Sequence, residues 1–207
     1  MNVINQATPQ LELADWRRRV FELYSSIRRN ERPHEAWQDW CSARDRLFRD
    51  HPQSPLDDER RTAFAGLGYY RYSPDWRVLA DVVAVAETSV EIETSTDQRF
   101  AATHFADARF SLAGADCSLP LFWLSGYGGG TLLPVSDATS GATTYGGGRY
   151  LLDTIKGADL GESDGRLVLD FNFSYNPSCA YNPRWTCPLA SPASRLPIAL
   201  EAGERHR

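Results

Sequence analysis

The chain predicts an α+β fold, with an N-terminal helical hairpin packed on a mainly antiparallel β-barrel or β-sandwich. Three observations predict it. Apolar residues recur at helical spacing through the first quarter of the sequence, a cluster of prolines and glycines follows, and from Val82 onward short β-branched and aromatic runs succeed one another without interleaved helices. At 207 residues the chain is long enough for one full hydrophobic core. A single domain over 1–207 is therefore expected, helical over 15–66 and β-rich over 67–207.

Trp16, Val20, Leu23, Tyr24 and Ile27 fall on one face of a helix from Asp15 to Arg29, and the arginines between them face water. Trp37, Trp40, Cys41, Leu47 and Phe48 repeat the pattern from His34 to Asp50, where Pro52 and Pro55 disfavour its continuation. Ser54 before Pro55, with Asp57 beyond, reads as the start of a third, shorter helix ending near Gly66. The character changes after "GLGYYRYSPDW". In "VVAVAETSVEIETS", Val90 and Ile92 alternate with Glu91 and Glu93, the period of a strand with one face covered. "RFAATHF", "ARFSLAG", "LPLFWLSG", "TLLPV", "RYLLDT", "RLVLDFNF" and "LPIALEAG" then read as strands between Gly, Asp, Ser and Pro turns. "YGGG" occurs twice, at Tyr127 and Tyr145, without the Gly-Lys-Ser/Thr of a phosphate loop, so hairpin or rim turns are expected there.

A net charge of −5 argues against a general phosphate-backbone binder, and nucleic acid is not expected as a partner. No segment approaches membrane-spanning length, and the first residues lack a charged start followed by an apolar stretch, so neither membrane nor secretory leader is expected and the cytoplasm is the default. The four cysteines show no C-x-x-C, and no histidines stand at ligand spacing. Neither a metal site nor a disulfide framework is favoured, although Cys179 and Cys187 are near enough in sequence for a local bridge. No cofactor is implied, and no oligomeric state.

The block from Gly126 is more specific than its composition. "DATSGATTYGGGRYL" (Asp137 to Leu151), "DFNFSYNPSCAYNPRWTCP" (Asp170 to Pro188) and the closing "RLPIALEAGE" resemble the bacterial and archaeal family known as domain of unknown function 1684. "ARDRLFRDHPQSPL" and "FAGLGYY" extend the resemblance toward Trp16. It implies no established reaction. Two stretches depart from the family's pattern: Pro134-Val135-Ser136, where relatives tend to have Pro-Phe, and Pro192-Ala193-Ser194, where they tend to have Pro-Glu-Asn.

Candidate site residues lie in two segments. If "LVLDFNF" is a strand, Asp170 and Asn172 project together from the face opposite Leu169 and Phe171. Asp170 then serves either as a catalytic acid/base or as an acceptor for the amides of the following Asn-Pro turns. Arg149 offers a fork for a carboxylate, whether a ligand's or that of Asp137 or Asp170, and Tyr145 stands beside it. Tyr175 and Tyr181 add aromatic walls, and Cys179 is a candidate nucleophile if a base such as His104 comes near it, or a buried structural thiol if none does. Should both segments meet at one mouth of a barrel, Asp170 and Cys179 would be catalytic, with Tyr145, Arg149, Asn172, Tyr175 and Tyr181 holding a small polar or anionic organic molecule. A cofactor-independent hydrolase, isomerase or cyclase is the expected class, and a non-catalytic ligand- or protein-binding module is the alternative.

Overall fold

Proline and glycine placement sets the boundaries of the helices in the computed structural model, which describes residues 8–206. Helix α1 (Pro9–Arg29) begins six residues before the expected Asp15, because Pro9 takes the first helical position, where its missing N–H costs nothing. The apolar period gave no sign of this turn, since Leu11 points into solvent. Helix α2 (Pro33–Asp50) likewise starts on a proline. The third helix is a single turn, α3 (Asp58–Thr62), and its cap is Asp57, whose carboxylate accepts the Arg60 N–H at 2.8 Å. Ser54 does not start a helix. Its hydroxyl donates to the Phe48 carbonyl at 2.6 Å and accepts the Leu56 N–H, closing the end of α2 instead.

Seven strands form one open antiparallel sheet in the order β5-β4-β3-β2-β1-β7-β6. They are β1 (Arg77–Glu93), β2 (Arg99–Leu112), β3 (Ala115–Leu124), β4 (Gly130–Val135), β5 (Arg149–Asp153), β6 (Glu162–Ser163) and β7 (Arg166–Asp170). The expected "RFAATHF" and "ARFSLAG" are one strand, bent by an irregularity in pairing with β3 between His104 and Ala106. The α+β class holds, but the sheet does not close into a barrel. Between β5 and the chain leaving β7 only one bridge forms, in which Tyr150 and Tyr175 exchange N–H···O bonds of 2.8 and 3.0 Å.

Two regions depart from the expected strands for the same reason, the side-chain and proline chemistry of the local sequence. β7 stops at Asp170, whose side chain accepts the Asn172 N–H and turns Phe171–Phe173 into a 3-10 helix. The strict alternation over "LVLDFNF" is thereby lost, and Leu169, Asp170, Phe171, Asn172 and Phe173 are all buried. "LPIALEAG" is an extended strap rather than a strand, since Pro197 has no N–H to give. Leu196, Leu200 and Ala202 anchor it in the core.

The sheet is covered on both sides. Leu133, Leu151, Leu119 and Phe171 pack with the strap, whereas Leu132, Tyr150, Phe122 and Phe173 pack against Tyr24, Ile27 and Trp40 of the helices. The alternation of Leu132 with Leu133, and of Tyr150 with Leu151, places the two cores back to back. The seam between the helices and the sheet carries the site. Among the described residues no helix is long and apolar enough to cross a membrane.

Candidate functional site

One cation breaks the apolar stripe of α2. Arg44 lies four residues after Trp40 and four before Phe48, so the helix carries it into the seam. Its guanidinium sits 5.0 Å from the Trp40 ring centre, 5.4 Å from Phe48 and 4.9 Å from Tyr175. At its tip Nη2 meets Glu204 Oε2 at 2.7 Å, with the Glu204 side chain fully buried.

The strap delivers that carboxylate. Gly203, at a positive φ of 71°, crosses over the Phe171–Ser174 turn where a Cβ would lie 2.8 Å from the Phe171 carbonyl oxygen. Glu204 N–H then bonds Ser174, and Arg205 N–H bonds Gly68. The chain on both sides of Glu204 is thus fixed before its side chain turns inward. Burial lifts the Glu204 carboxyl above its ordinary range, and Arg44 and the Asn176 N–H, 3.0 Å from Oε2, oppose that rise.

Oε2 takes both hydrogen bonds, and Oε1 takes none. Arg44 Nε, Tyr69 Oη and Asn176 Oδ1 are likewise buried without a hydrogen-bond partner among the described residues, on side chains that surround or bond the Arg44–Glu204 pair. Four such atoms at one place are unusual in a folded interior, where buried polar groups are almost always paired. Two concavities are lined in part by Arg44, Asn176 and Glu204. One is a narrow, partly open space of about 50 Å³ walled by Trp16, Tyr24, Trp40, Arg44, Tyr175 and Asn176. The other is an open cleft of about 610 Å³ between the α2-to-β1 connection and the strap, walled by Arg60, Phe64, Leu67, Tyr181, Glu204 and Arg205. A larger trough of about 780 Å³ over β1, β2 and β3 contains none of the unpartnered buried atoms.

The expected site residues separate into three neighbourhoods, with Arg149 apart from all of them. Tyr175 and Tyr181 belong to the seam: Tyr175 stacks on Arg44, and Tyr181 packs edge-on against Phe48 and receives the Asn176 amide at 3.4 Å. Arg149 does not join them. Fully buried, it pairs with Asp137 at 3.0 Å and donates to the carbonyls of Leu200, Ala202 and Glu204, tying β5 to the strap. In this arrangement its fork is occupied by the chain itself rather than open to a ligand.

Asp170 and Asn172 form the second neighbourhood. Asp170 Oδ1 accepts both the N–H and the side-chain amide of Asn172, and Asn172 in turn clasps the backbone of Ser73. Neither residue touches Arg149. Burial raises the Asp170 carboxyl to about 6, with Asn172 and Arg77 opposing, and Asp170 lies in a cleft of about 240 Å³ with Arg28, Arg77 and Glu162. Tyr145 and Cys179 make up the third, with the Tyr145 hydroxyl 3.6 Å from the Cys179 sulfur. His104 is engaged by Asp107 at 2.8 Å and supplies no base there.

Sequence reasoning missed Arg44, Glu204, Tyr69 and Asn176. Arg44 had a signal, a charge on the apolar face of a secure helix. Glu204 had none, because only the course of the strap turns it inward. Among the described residues, no group of three or more His, Cys, Asp or Glu side chains could hold a metal ion.

The family described as protein of unknown function (DUF1684) matches residues 62–205. An uncharacterised protein of Haloarcula marismortui, with a structure solved by solution NMR, is 37% identical over 81% of this chain and 91% of its own, at a TM-score of 0.59. No curated protein matches the chain. The two departures from the family's pattern meet in space: the Ser136 N–H bonds the Ser194 carbonyl at 3.0 Å, and the Leu196 N–H bonds Ser136 at 2.8 Å.

Proposed function

The chain belongs to the DUF1684 family, and we propose that it binds a small polar organic molecule in the 610 Å³ cleft, with Glu204 as the acid/base group of a cofactor-independent reaction there. The observation that carries this reading is Glu204 Oε1, a buried carboxylate oxygen without a hydrogen-bond partner among the described residues, on a residue that lines the cleft. Such an oxygen accepts a hydrogen bond from an O–H or N–H of a ligand, and in a desolvated site it is a stronger proton acceptor than an exposed carboxylate. Arg44 steadies the charge on the same carboxylate, and Tyr181 and Phe64 offer flat apolar walls. Hydrolysis, isomerisation and cyclisation are the reaction classes such a group serves without a cofactor.

The test is ligand-observed NMR with a library of small polar fragments. Binders are expected for the unaltered protein and lost in Ala63→Trp, which fills the cleft from an exposed position and should alter stability by no more than about 0.5 kcal/mol. Fragments that bind both proteins equally would remove the cleft from consideration.

Asp170 supports a second reading. Its Oδ2 has no hydrogen bond to the chain, its carboxyl is raised to about 6, and Arg77 lies in the same 240 Å³ cleft. Fragments that respond to Asp170→Asn and not to Ala63→Trp would favour it.

A further inference from the structure

The geometry points to Cys179 and Cys187 as a peroxide-reactive thiol pair, with Cys179 the attacking sulfur and Cys187 the resolving one. The inference is independent of the cleft reading.

Eight residues apart in sequence, the two cysteines are brought together by the Asn-Pro turns: the Cys179 N–H points at the Cys187 sulfur, 3.4 Å away. Both are free thiols, Cys179 half-buried and Cys187 buried. The loop is held from outside. Ser95 accepts the Cys187 N–H at 3.1 Å and donates to the Trp185 carbonyl at 3.0 Å, and the Ser95 N–H bonds the Cys187 carbonyl at 3.0 Å. On the other side stands the Tyr145 hydroxyl, 3.6 Å from the Cys179 sulfur. A hydroxyl that can donate to a sulfur favours its thiolate. The Cys187 thiol first, then Tyr145, hold Cys179 down at about 6 against the effect of burial, whereas Cys187 and Tyr145 are pushed upward and keep their protons. Exposure separates the two roles: the half-buried Cys179 can be reached by a peroxide, whereas the buried Cys187 meets only its neighbour.

The chemistry balances with a hydroperoxide as oxidant. The Cys179 thiolate attacks one peroxide oxygen, so that an S–O bond forms, the O–O bond breaks, and the departing alkoxide takes a proton from solvent. Sulfur loses two electrons and the peroxide gains them. The Cys187 sulfur then attacks the sulfenic sulfur of Cys179, forming the S–S bond as water leaves with the Cys187 proton. Two molecules of a small thiol restore the dithiol and become its disulfide.

The experiment treats the full chain with hydrogen peroxide at pH 7, followed by alkylation and peptide mass mapping. The expected product is a Cys179–Cys187 disulfide reversed by dithiothreitol, with Cys41 and Cys117 still alkylated as free thiols. Cys179 should outpace Cys41, which burial raises to about 12, on the order of a hundredfold, after its greater thiolate fraction is discounted for lower nucleophilicity. Cys187→Ser should leave a sulfenic acid at Cys179 that dimedone traps, and Cys179→Ser should leave Cys187 unoxidised while fragments still bind the cleft. Mapping of the unaltered protein suffices if a variant fails to fold. Oxidation at Cys41 or Cys117 before Cys179, or a Cys179 that passes to sulfinic acid without joining Cys187, would overturn the inference.

Discussion

Replacing the Arg44–Glu204 pair one residue at a time, and then together, separates a buried ion pair from a solvated one. Arg44→Met leaves the Glu204 carboxylate fully buried with only the Asn176 N–H to hold it. Glu204→Gln keeps an oxygen for that N–H but leaves a guanidinium among three aromatic rings without its counter-ion. Breaking a buried pair from either side costs about 3–5 kcal/mol, because the remaining charge is uncompensated. For a chain of this length that is a fall in Tm of about 10 °C or somewhat more. The double variant Arg44→Met/Glu204→Gln removes both charges, still satisfies Asn176, and forfeits mainly the cation–π contacts, each about 0.5–2 kcal/mol in part replaced by methionine packing. It should cost about 2 kcal/mol, less than either single change. Urea unfolding followed by tryptophan fluorescence measures all four corners of the cycle. If the two single costs simply add in the double variant, or if Arg44→Met costs under about 1 kcal/mol as a surface pair would, the pair is solvated and the reasoning about its stranded oxygen fails.

Two further predictions concern the other neighbourhoods. With its folded-state value near 6 against an ordinary 3.8, Asp170 favours folding when protonated; that contribution is complete below pH 3.8 and lost as pH rises through about 6, a change of about 3 kcal/mol at most. Asp170→Asn keeps the acceptor for Asn172 and should flatten this part of the stability–pH curve. Unfolding at pH 4 and pH 7.5 would reveal it, and an unaltered difference would place the titration elsewhere. Arg149→Met strands Asp137 and three carbonyls of the strap, so a loss of about 3–5 kcal/mol in urea unfolding is expected. Arg149→Lys should recover only part of it, since one ammonium cannot span the fork.

The fold was legible where periodicity decided it. Trp37, Trp40 and Phe48 could only be a helix face, and Val90 and Ile92 against Glu91 and Glu93 could only be a strand. What periodicity does not report is where a strand yields to a side-chain hydrogen bond. Asp170 ended β7 by accepting the Asn172 amide, and with it ended the alternation on which the two residues were expected to project together. Open against closed sheet was equally out of reach, because it turns on one Tyr150–Tyr175 bridge between residues distant in sequence. As for the site, the segment Tyr175 to Pro188 was found by its composition. Its centre, Arg44, was passed over because charges on a helix are read by default as its solvated face.

The position of Arg44 is also the best reason to look for chemistry at the seam. Three aromatic rings surround it and could close on a leucine or methionine of similar volume, and such replacements of buried ion pairs are commonly neutral or stabilising. By the double-variant cycle the whole pair contributes only about 2 kcal/mol, so stability alone is a weak reason for a charge there. Nor is fastening of the strap a reason, for Arg149 and Asp137 already do that with four hydrogen bonds to it at the neighbouring turn of the chain. The two pairs differ in one respect that bears on function. Asp137 places Oδ1 on Thr139 and the Leu200 N–H and Oδ2 on Arg149, so both of its oxygens are engaged, whereas Glu204 directs Oε2 to Arg44 and the Asn176 N–H and leaves Oε1 without a hydrogen-bond partner among the described residues. A pair that only held the fold together would gain by satisfying both oxygens of its carboxylate, as Asp137 does, and the one that leaves an oxygen unengaged is the one suited to a ligand.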